Sequence, residues 1–328
     1  MKTTLLLCLL TLGAVGQTLT GAGSTFIYPI MSRWAAAYEQ AHPGVSINYQ
    51  SIGSGAGIEQ VRNRTVDFGA SDAALTDEQL KTMPPVIQIA ESAGPVCIIY
   101  NVPGLRAPLR LTGAALAGIY LGQIRYWDAA PLAAANPGVH LPHVPVLVTH
   151  RSDGSGTTAI FTSYLAKVSP EWRQRTGAGL AVRWPVGLGG KGSEGVSGLV
   201  KQMRGTIGYV ELSYATTNHL GTAQIENAAG HFITASADSA TAALAASAKV
   251  LERDLRTPIT NAPGAASYPI TGLTFLILPK NAANAGNQRA LRQFVTWVLT
   301  HGQSQARALG YAPLPPAVVR VDLEALKG

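Results

Sequence analysis

Short runs of β-type residues alternate along the chain with segments whose apolar residues recur at helical spacing. The β-type run 45–50 precedes a helical segment at 57–63, and a second β-type run follows at 86–90. Such alternation is typical of an α/β protein, in which helices cover the faces of a sheet. Two longer apolar runs, 96–102 and 274–278, have the composition of fully buried strands. The pattern therefore predicts an α/β fold with a buried sheet.

The two buried runs also indicate how the chain divides into domains. With 328 residues, the chain is long enough for about two domains of about 150 residues each. We interpret the two runs as crossings between the domains, which makes the first domain discontinuous. The predicted division is 17–93 plus 272–328 for domain I and 94–271 for domain II. Helical spacing at 287–299 and 303–309 places helices in the C-terminal part of domain I.

Two local patterns predict further helices. Thr76 and Gln79 have the T-x-x-Q spacing of a capping box, in which the two side chains satisfy backbone groups at the start of a helix. The Ala-rich segment 236–255 has an Ala/Leu face and predicts one surface helix.

The N-terminus has the organisation of an export signal. Lys2 precedes an apolar stretch at 5–12 and small residues at 14–16, which predicts a signal peptide of residues 1–16 with cleavage near residues 16 and 17. Cys8 would be removed with the signal, so Cys97 would remain as the single cysteine and no intramolecular disulfide could form. No later stretch has the 18 or so apolar residues of a membrane helix. We therefore expect an exported, soluble product.

Charged residues are scarce, and their balance is basic. Asp, Glu, Lys and Arg make up 13% of the chain, which is about half of the usual share. The 25 Lys+Arg against 18 Asp+Glu give a net charge of +7. Nowhere are two basic residues adjacent, which argues against a nucleic-acid partner. An apolar share of 47% excludes an intrinsically disordered chain.

Three segments share one design, in which a loop of Gly, Ser and Thr runs directly into a helical pattern. They lie at 21–26, 53–57 and 153–158. Glycine lets a ligand approach the backbone closely, Ser and Thr add hydroxyl donors, and a helix N-terminus carries about half a positive charge. Ordinary N-capping by Ser or Thr explains any one of these loops. Three such loops beside an arginine favour an oxyanion site.

Two charged residues strengthen the anion hypothesis. Arg151 lies beside the third loop, where its planar guanidinium could bind a tetrahedral oxyanion while Asp153 holds it in place. The alternative is an ordinary surface ion pair. Asp72 ends the apolar stretch 68–72, where a charge is costly without a partner. Helix capping explains Asp72 equally well, but its carboxylate could also accept a hydrogen bond from a protonated oxyanion.

Other chemical motifs are weak. The segment 189–193 lacks the spacing of a nucleotide-binding phosphate loop. His150, Asp153 and Ser155 have the residue types of a catalytic triad, but they lie in one loop without a G-x-S-x-G elbow. The three histidines between positions 140 and 150 lack Cys or acidic companions at metal-ligand spacing. We predict neither a metal nor a cofactor.

At these loops the sequence resembles the periplasmic phosphate-binding proteins of the bacterial phosphate-specific ABC transporter. The matching segments are LTGAGSTF at 19–26, NYQSIGS at 48–54, TVDFGASD at 65–72, IYLG at 119–122, DGSGT at 153–157, WPVGLGGKG at 184–192 and IGYVE at 207–211. The resemblance covers essentially the whole chain after the export signal. It implies a two-lobed periplasmic binding protein fold (type II), in which each lobe is a mixed sheet flanked by helices and two hinge strands join the lobes. It also implies a periplasmic monomer that captures inorganic phosphate with high affinity and delivers it to an ABC permease and its ATPase.

The resemblance assigns phosphate ligands to both lobes. One lobe would contribute Thr25, the backbone N–H of Phe26, Ser54 and the acceptor Asp72, and the other Arg151, Ser155, Gly156 and Thr157, with Asp153 orienting Arg151. Three positions depart from the family pattern. Ser24 stands where Ala is common, Gly55-Ala56 stands where Ser-Gly is common, and His150 replaces a frequent Arg.

Two other functions are alternatives to phosphate binding. A binding protein for another oxyanion, such as sulfate or molybdate, would use neutral donors alone, so Asp72 argues against it. An exported phosphatase would need a metal cluster or an activated nucleophile, and the sequence has neither pattern. We therefore expect a binding protein rather than an enzyme.

Overall fold

The computed structural model describes residues 16–281 and 284–327. Nearly all of the predicted export signal, including Cys8, lies outside the described residues. The strands are β1 Gln17–Gly23, β2 Val45–Ser51, β3 Phe68–Ser71, β4 Val86–Asn101, β5 Arg110–Leu111, β6 Leu147–Arg151, β7 Leu188–Gly190, β8 Thr206–Glu211, β9 Gly221–Thr222, β10 Gln224–Glu226, β11 Phe232–Ile233 and β12 Thr271–Pro279. The α-helices are α1 Tyr28–Ala41, α2 Ser54–Arg62, α3 Asp77–Thr82, α4 Gly113–Tyr120, α5 Ala130–Ala135, α6 Gly156–Val168, α7 Pro170–Arg175, α8 Gly192–Gln202, α9 Leu212–Thr217, α10 Ala237–Ala246, α11 Ala248–Leu251, α12 Ala285–Thr300 and α13 Pro316–Ala325.

Most strands belong to one mixed sheet. Eight of its strands follow the order β2-β1-β3-β12-β4-β8-β6-β7, and β9 pairs with β4. Strands β1, β2 and β3 are parallel to one another, as are β6, β7 and β8. Strands β12 and β4 run antiparallel to their neighbours along this order. A small sheet of order β11-β10-β5 lies apart from the main one. The predicted mixed α/β architecture is confirmed.

Strand β4 is shared by two groups of strands. Its part from Val86 to Pro95 pairs with β12, and its part from Val96 to Asn101 pairs with β8. We call β2, β1, β3 and β12 the first half-sheet, and β8, β6 and β7 the second half-sheet. The partner of β4 changes close to residue 93, where domain I was predicted to end. The division into two domains stays a prediction.

The long β4 joins two runs that the sequence pattern had separated. The runs 86–90 and 96–102 fall almost entirely within this strand of 16 residues. The register between β4 and β12 skips Glu91, because Thr274 pairs with Ser92 while the next residue of β12 pairs with Ala90. Such a β-bulge bends a strand without ending it, so the chain continues as one strand where a break was expected.

Two predicted helices differ in form, whereas the capping box does not. The segment 303–309 lies in two 3-10 helices, Gly302–Gln305 and Arg307–Leu309, instead of an α-helix. The Ala-rich segment 236–255 contains α10 and α11 instead of one helix. The hydroxyl of Ser247 lies between them and donates to Ala243 O, a side-chain bond that competes with regular helix geometry. The predicted capping box at the start of α3 is confirmed.

The main core lies between the sheet and its helices and contains large aromatic side chains. Trp34, Trp127 and Trp172 are fully buried. Their indole N–H groups donate to backbone carbonyls at 2.8 Å, 3.0 Å and 2.8 Å, which satisfies the polar end of each ring. Cys97 is also buried, with a free thiol. None of the helices in the described part of the chain is long and apolar enough to cross a bilayer.

Candidate functional site

The candidate site lies where loops from the two half-sheets meet. Each of β1, β2, β3, β6 and β7 is followed at its carboxyl end by a loop that contributes to this region, the usual place for a ligand in an open α/β sheet. The two sets of loops touch directly. The Gly55 N–H donates to Gly154 O at 2.9 Å, and the Gly156 N–H donates to Ser54 Oγ at 3.1 Å.

Helix N-termini point their backbone N–H groups into this region. Helix α2 begins at Ser54, and α6 begins at Gly156 with Ser155 as its N-cap. The Ser155 hydroxyl accepts the Thr158 N–H at 3.1 Å. The predicted loop-to-helix design at 53–57 and 153–158 is therefore confirmed. The positive ends of both helix dipoles favour an anion between them.

Two glycines are required by how closely the loops approach each other. Gly53 has a φ of 93°, and a Cβ there would lie 2.3 Å from Asp153 Oδ2. A Cβ at Gly156 would lie 2.5 Å from the backbone nitrogen of Asp72. Both distances are far below van der Waals contact, so any larger residue would force the two sets of loops apart.

Arg151 is the basic group of the site, and it is held from two sides. Arg151 is 4% exposed, so a surface ion pair does not describe it. Nε and Nη2 donate to the two carboxylate oxygens of Asp153 at 2.7 Å and 2.5 Å. Nη1 donates to Thr25 Oγ1 at 3.0 Å. This bidentate geometry fixes the plane of the guanidinium. Although burial raises the pKa of Asp153, its bonds to Arg151 lower that pKa below its ordinary value.

Asp72 is a second buried charge, and it does not cap a helix. The next helix, α3, is capped by Thr76, so the capping explanation for Asp72 is wrong. Its Oδ1 accepts the hydroxyl of Ser24, and its N–H donates to Ser54 Oγ at 3.3 Å. Burial raises the pKa of Asp72 to about 7, against the Ser24 hydrogen bond and the charge of Arg151, which lower it. Asp72 therefore titrates close to neutral pH.

The other predicted ligands are also buried at this meeting point. Thr25, Phe26, Ser155 and Thr157 are all at most 2% exposed. The Thr157 hydroxyl has no hydrogen-bond partner among the residues that the structure describes. A buried polar atom without a partner is costly, which points to a group that binds there.

Residues that the sequence analysis did not assign also belong to this region. The Ser193 hydroxyl shares a hydrogen bond with Thr25 Oγ1 at 2.8 Å, and the Ser193 N–H donates to the same oxygen at 3.3 Å. The Tyr214 hydroxyl donates to Thr25 O at 2.8 Å. The sequence pattern of 189–193 does not fit a nucleotide-binding loop. Its Gly and Ser residues directly before α8 repeat the design of the other loops and could have revealed it.

His150 lies behind the site rather than in it. Its ring stacks on Trp184, with centroids 4.7 Å apart and planes at 12°. Its Nδ1 lies 3.0 Å from Arg151 O. Burial lowers the pKa of His150 below its ordinary value, which disfavours a positive charge on this ring.

The comparisons with known proteins agree with this geometry. The sequence profile of the PBP superfamily domain matches residues 11–301. The phosphate-binding protein PstS of Xylella fastidiosa is 45% identical over 303 residues, covering 92% of this chain and 83% of that protein. The phosphate-binding protein PstS of Haemophilus influenzae is 42% identical over 316 residues, covering 94% of each chain.

Solved structures show the same fold. A putative phosphate ABC transporter substrate-binding protein from Clostridium perfringens, with bound phosphate, aligns with a TM-score of 0.66 at 19% identity, covering 91% of this chain and all of that chain. A phosphate-binding protein from Stenotrophomonas maltophilia aligns with a TM-score of 0.70 at 18% identity, covering 94% and 93%. The predicted type II periplasmic binding fold class is confirmed. On its sequence relatives and its superfamily match, the chain belongs to the PstS phosphate-binding protein family of the PBP superfamily.

Proposed function

We propose that this protein captures inorganic phosphate reversibly and delivers it to an ABC permease for import. The observation that carries the proposal is a buried carboxylate, Asp72, in the same site as a buried Arg151 and two helix N-termini. Donors alone would suit any oxyanion. An acceptor among them suits an oxyanion that still carries a proton.

We propose that the ligand is held by groups from both half-sheets. The donors would be the hydroxyls of Thr25, Ser54, Ser155 and Thr157, the backbone N–H groups of Phe26 and Gly156, and the guanidinium of Arg151, with Asp72 as the acceptor. The unpartnered hydroxyl of Thr157 supports this assignment. Asp153 would orient Arg151, as their two short hydrogen bonds indicate.

Selectivity would follow from protons rather than from charge. Phosphate at neutral pH keeps at least one proton that it can donate to Asp72, whereas sulfate has none and would face the carboxylate without a hydrogen bond. In other systems a site built around a ligand hydroxyl rejects an analogue that lacks it by about 10⁴- to 10⁵-fold. This is why we favour phosphate over sulfate or molybdate.

We further propose that the two half-sheets belong to two lobes that close on phosphate by hinge motion. Domain I would comprise 17–93 plus 272–328, and domain II would comprise 94–271. Strands β4 and β12 would form the hinge, since β4 changes its partner at Pro95. The closed form would dock on the permease from the periplasm as a monomer, and binding would involve no chemical step.

Calorimetric titration of the parent and an Asp72→Asn variant at about pH 8 tests the proposal. We expect the parent to bind phosphate and to reject sulfate. The variant should lose about 100-fold or more in phosphate affinity, since a buried charged hydrogen bond is removed, and it should gain sulfate binding because an amide can donate. Asp128→Asn is the matched control, because Asp128 lies in an exposed pair with His143.

The possible results separate the parts of the proposal. A parent that does not bind phosphate would disprove phosphate capture. Equal rejection of sulfate by the parent and Asp72→Asn would remove the role of Asp72 and leave phosphate binding standing. Release of product from a chromogenic phosphate ester by the purified parent would contradict the absence of a chemical step.

A further inference from the structure

The hydroxyl of Ser24 has a defined direction in the structure. Ser24 is fully buried, and its N–H donates to Ala70 O at 2.9 Å, which fixes it against β3. Its Oγ accepts the Ile27 N–H at 3.3 Å and contacts Asp72 Oδ1. A hydroxyl has a single hydrogen and an ionised carboxylate has none. The hydrogen of Ser24 therefore lies on the Asp72 side.

This hydrogen bond gives the two carboxylate oxygens of Asp72 different roles. Oδ1 accepts the hydroxyl of Ser24, so Oδ2 would be the oxygen that accepts a proton-bearing ligand oxygen. A hydrogen bond donated to a carboxylate also favours its ionised form. Ser24 thus acts on Asp72 without being one of the proposed ligands.

The surroundings of Asp72 make such a donor important. The titratable groups coupled to Asp72 are Arg151 at the end of β6, Glu91 in β4 and Tyr49 in β2. Arg151 favours the charged form of Asp72, whereas burial opposes it. The Ser24 hydroxyl donates directly to this carboxylate, and of the hydrogen bonds that lower the pKa of Asp72 it has the largest effect.

We propose that Ser24 is a specificity-determining residue, because its hydrogen bond favours the acceptor state of Asp72 and so extends the rejection of unprotonated oxyanions to a lower pH than the site would reach without it. The inference rests on the proposed phosphate function. Without the Ser24 donor, Asp72 would take up a proton from solvent at higher pH. The protonated carboxyl would then donate a hydrogen bond, and sulfate would find the donor that it needs.

Sulfate titrations of the parent and Ser24→Ala between about pH 5 and about pH 8.5 test this inference. Sulfate has no proton to lose in this range, so its pH profile reports protein groups alone. We expect the onset of sulfate binding to move up by about one pH unit in Ser24→Ala. At the upper end of the range, above the pKa of Asp72 in the parent, its sulfate affinity should then exceed that of the parent about tenfold, as one pKa unit implies. Phosphate affinity at about pH 8.5 should change by only a few fold.

Two further variants serve as controls for this experiment. Ser24→Cys keeps the size of the side chain but replaces the hydroxyl with a weak donor, and we expect it to shift the profile in the same direction. Ser247→Ala removes another buried hydroxyl, which donates to Ala243 O, and we expect its profile to match the parent. If the parent binds phosphate but the sulfate profiles of the parent and both Ser24 variants superimpose, the role of Ser24 is wrong and the proposed function still stands. A parent that does not bind phosphate would instead show that the proposed function is wrong.

Discussion

Arg151 and Asp72 each have a separate partner inside the site. Arg151 is held by Asp153, and Asp72 accepts from Ser24. Among the described residues, these two opposite charges form no ion pair with each other. Each charge is therefore stabilised on its own side, and a ligand between them could use the free face of both. Direct pairing would have cancelled the acceptor that the proposed selectivity requires.

The unpartnered hydroxyl of Thr157 leads to a prediction in which affinity and stability change differently. Replacing Thr157 by Val keeps the shape of the side chain and removes the hydroxyl. We expect phosphate affinity to fall about 10- to 100-fold, the value of a hydrogen bond to a charged group. The free energy of unfolding without phosphate should change little, because the hydroxyl has no hydrogen-bond partner among the described residues. Calorimetric titration and denaturant unfolding measure the two quantities. A loss of stability with unchanged affinity would contradict the ligand role.

Thr25 is contacted by three elements that lie on the side of the second half-sheet. Ser193 of α8 and Arg151 of β6 both contact Thr25 Oγ1, while Tyr214 of α9 donates to Thr25 O. Thr25 belongs to the loop after β1 in the first half-sheet. Elements from the second half-sheet side therefore converge on Thr25 in this structure, which makes it a point of contact between the two lobes that we propose.

Removing the Ser193 hydroxyl should therefore act on release more than on capture. We expect Ser193→Ala to increase the phosphate dissociation rate about 3- to 10-fold, as for the loss of one neutral hydrogen bond, with little change in the association rate. Stopped-flow measurement of phosphate release checks this. Ser197→Ala is the control, because Ser197 is also buried in α8 and its hydroxyl has no partner among the described residues. Equal rates for the parent and Ser193→Ala would rule out a contribution to closure.

The whole molecule buries several acidic groups, although it has few charges. Burial raises the pKa of Glu211 to about 8 and that of Asp322 to about 7. Burial also raises the pKa of Glu91 well above its ordinary value, and neither of its carboxylate oxygens has a hydrogen-bond partner in the described part of the chain. Glu91 lies on β4 and Glu211 on its partner strand β8, so both buried acids belong to the strand pair where the two half-sheets join.

Stability should therefore decrease as pH rises. A carboxyl whose pKa is raised in the folded state stabilises the fold while it is protonated, and this stabilisation is lost as pH rises through the folded pKa. With values of about 7 for Asp72 and Asp322 and about 8 for Glu211, we expect Tm to be highest near pH 5. It should fall by several degrees towards about pH 9, at about 2–4 °C per kcal/mol. Calorimetry in buffers without phosphate or sulfate measures this.

One variant isolates a single contribution to this pH dependence. Asp322→Asn removes an acid whose Oδ2 has no partner among the described residues, and it should make the decline of Tm shallower without affecting phosphate binding. A Tm that rises between about pH 5 and about pH 9 would contradict the burial of these acids in neutral form.

Much of the site was predictable because its parts are local in sequence. Arg151, Asp153 and the start of α6 lie within one loop, so residue types and spacing were enough to predict their contact. The strand and helix alternation was predictable for the same reason, since each element depends on the periodicity of its own residues. The prediction of an α-helix at 303–309 was wrong. Two short 3-10 helices form there, and the spacing of apolar residues does not distinguish them from an α-helix.

The chain of residues alone established the α/β class, the loop-to-helix design and the chemistry suited to an oxyanion, because backbone conformation and capping are set by near neighbours. Only the tertiary structure brought Ser193 to Thr25, 168 positions away, and Ser24 to Asp72, 48 positions away. It also showed that β4 is one bulged strand and that Asp72 does not cap a helix. Contacts of this kind depend on how the strands assemble into the sheet. The residues next to either partner in the sequence do not indicate which distant residue it will contact.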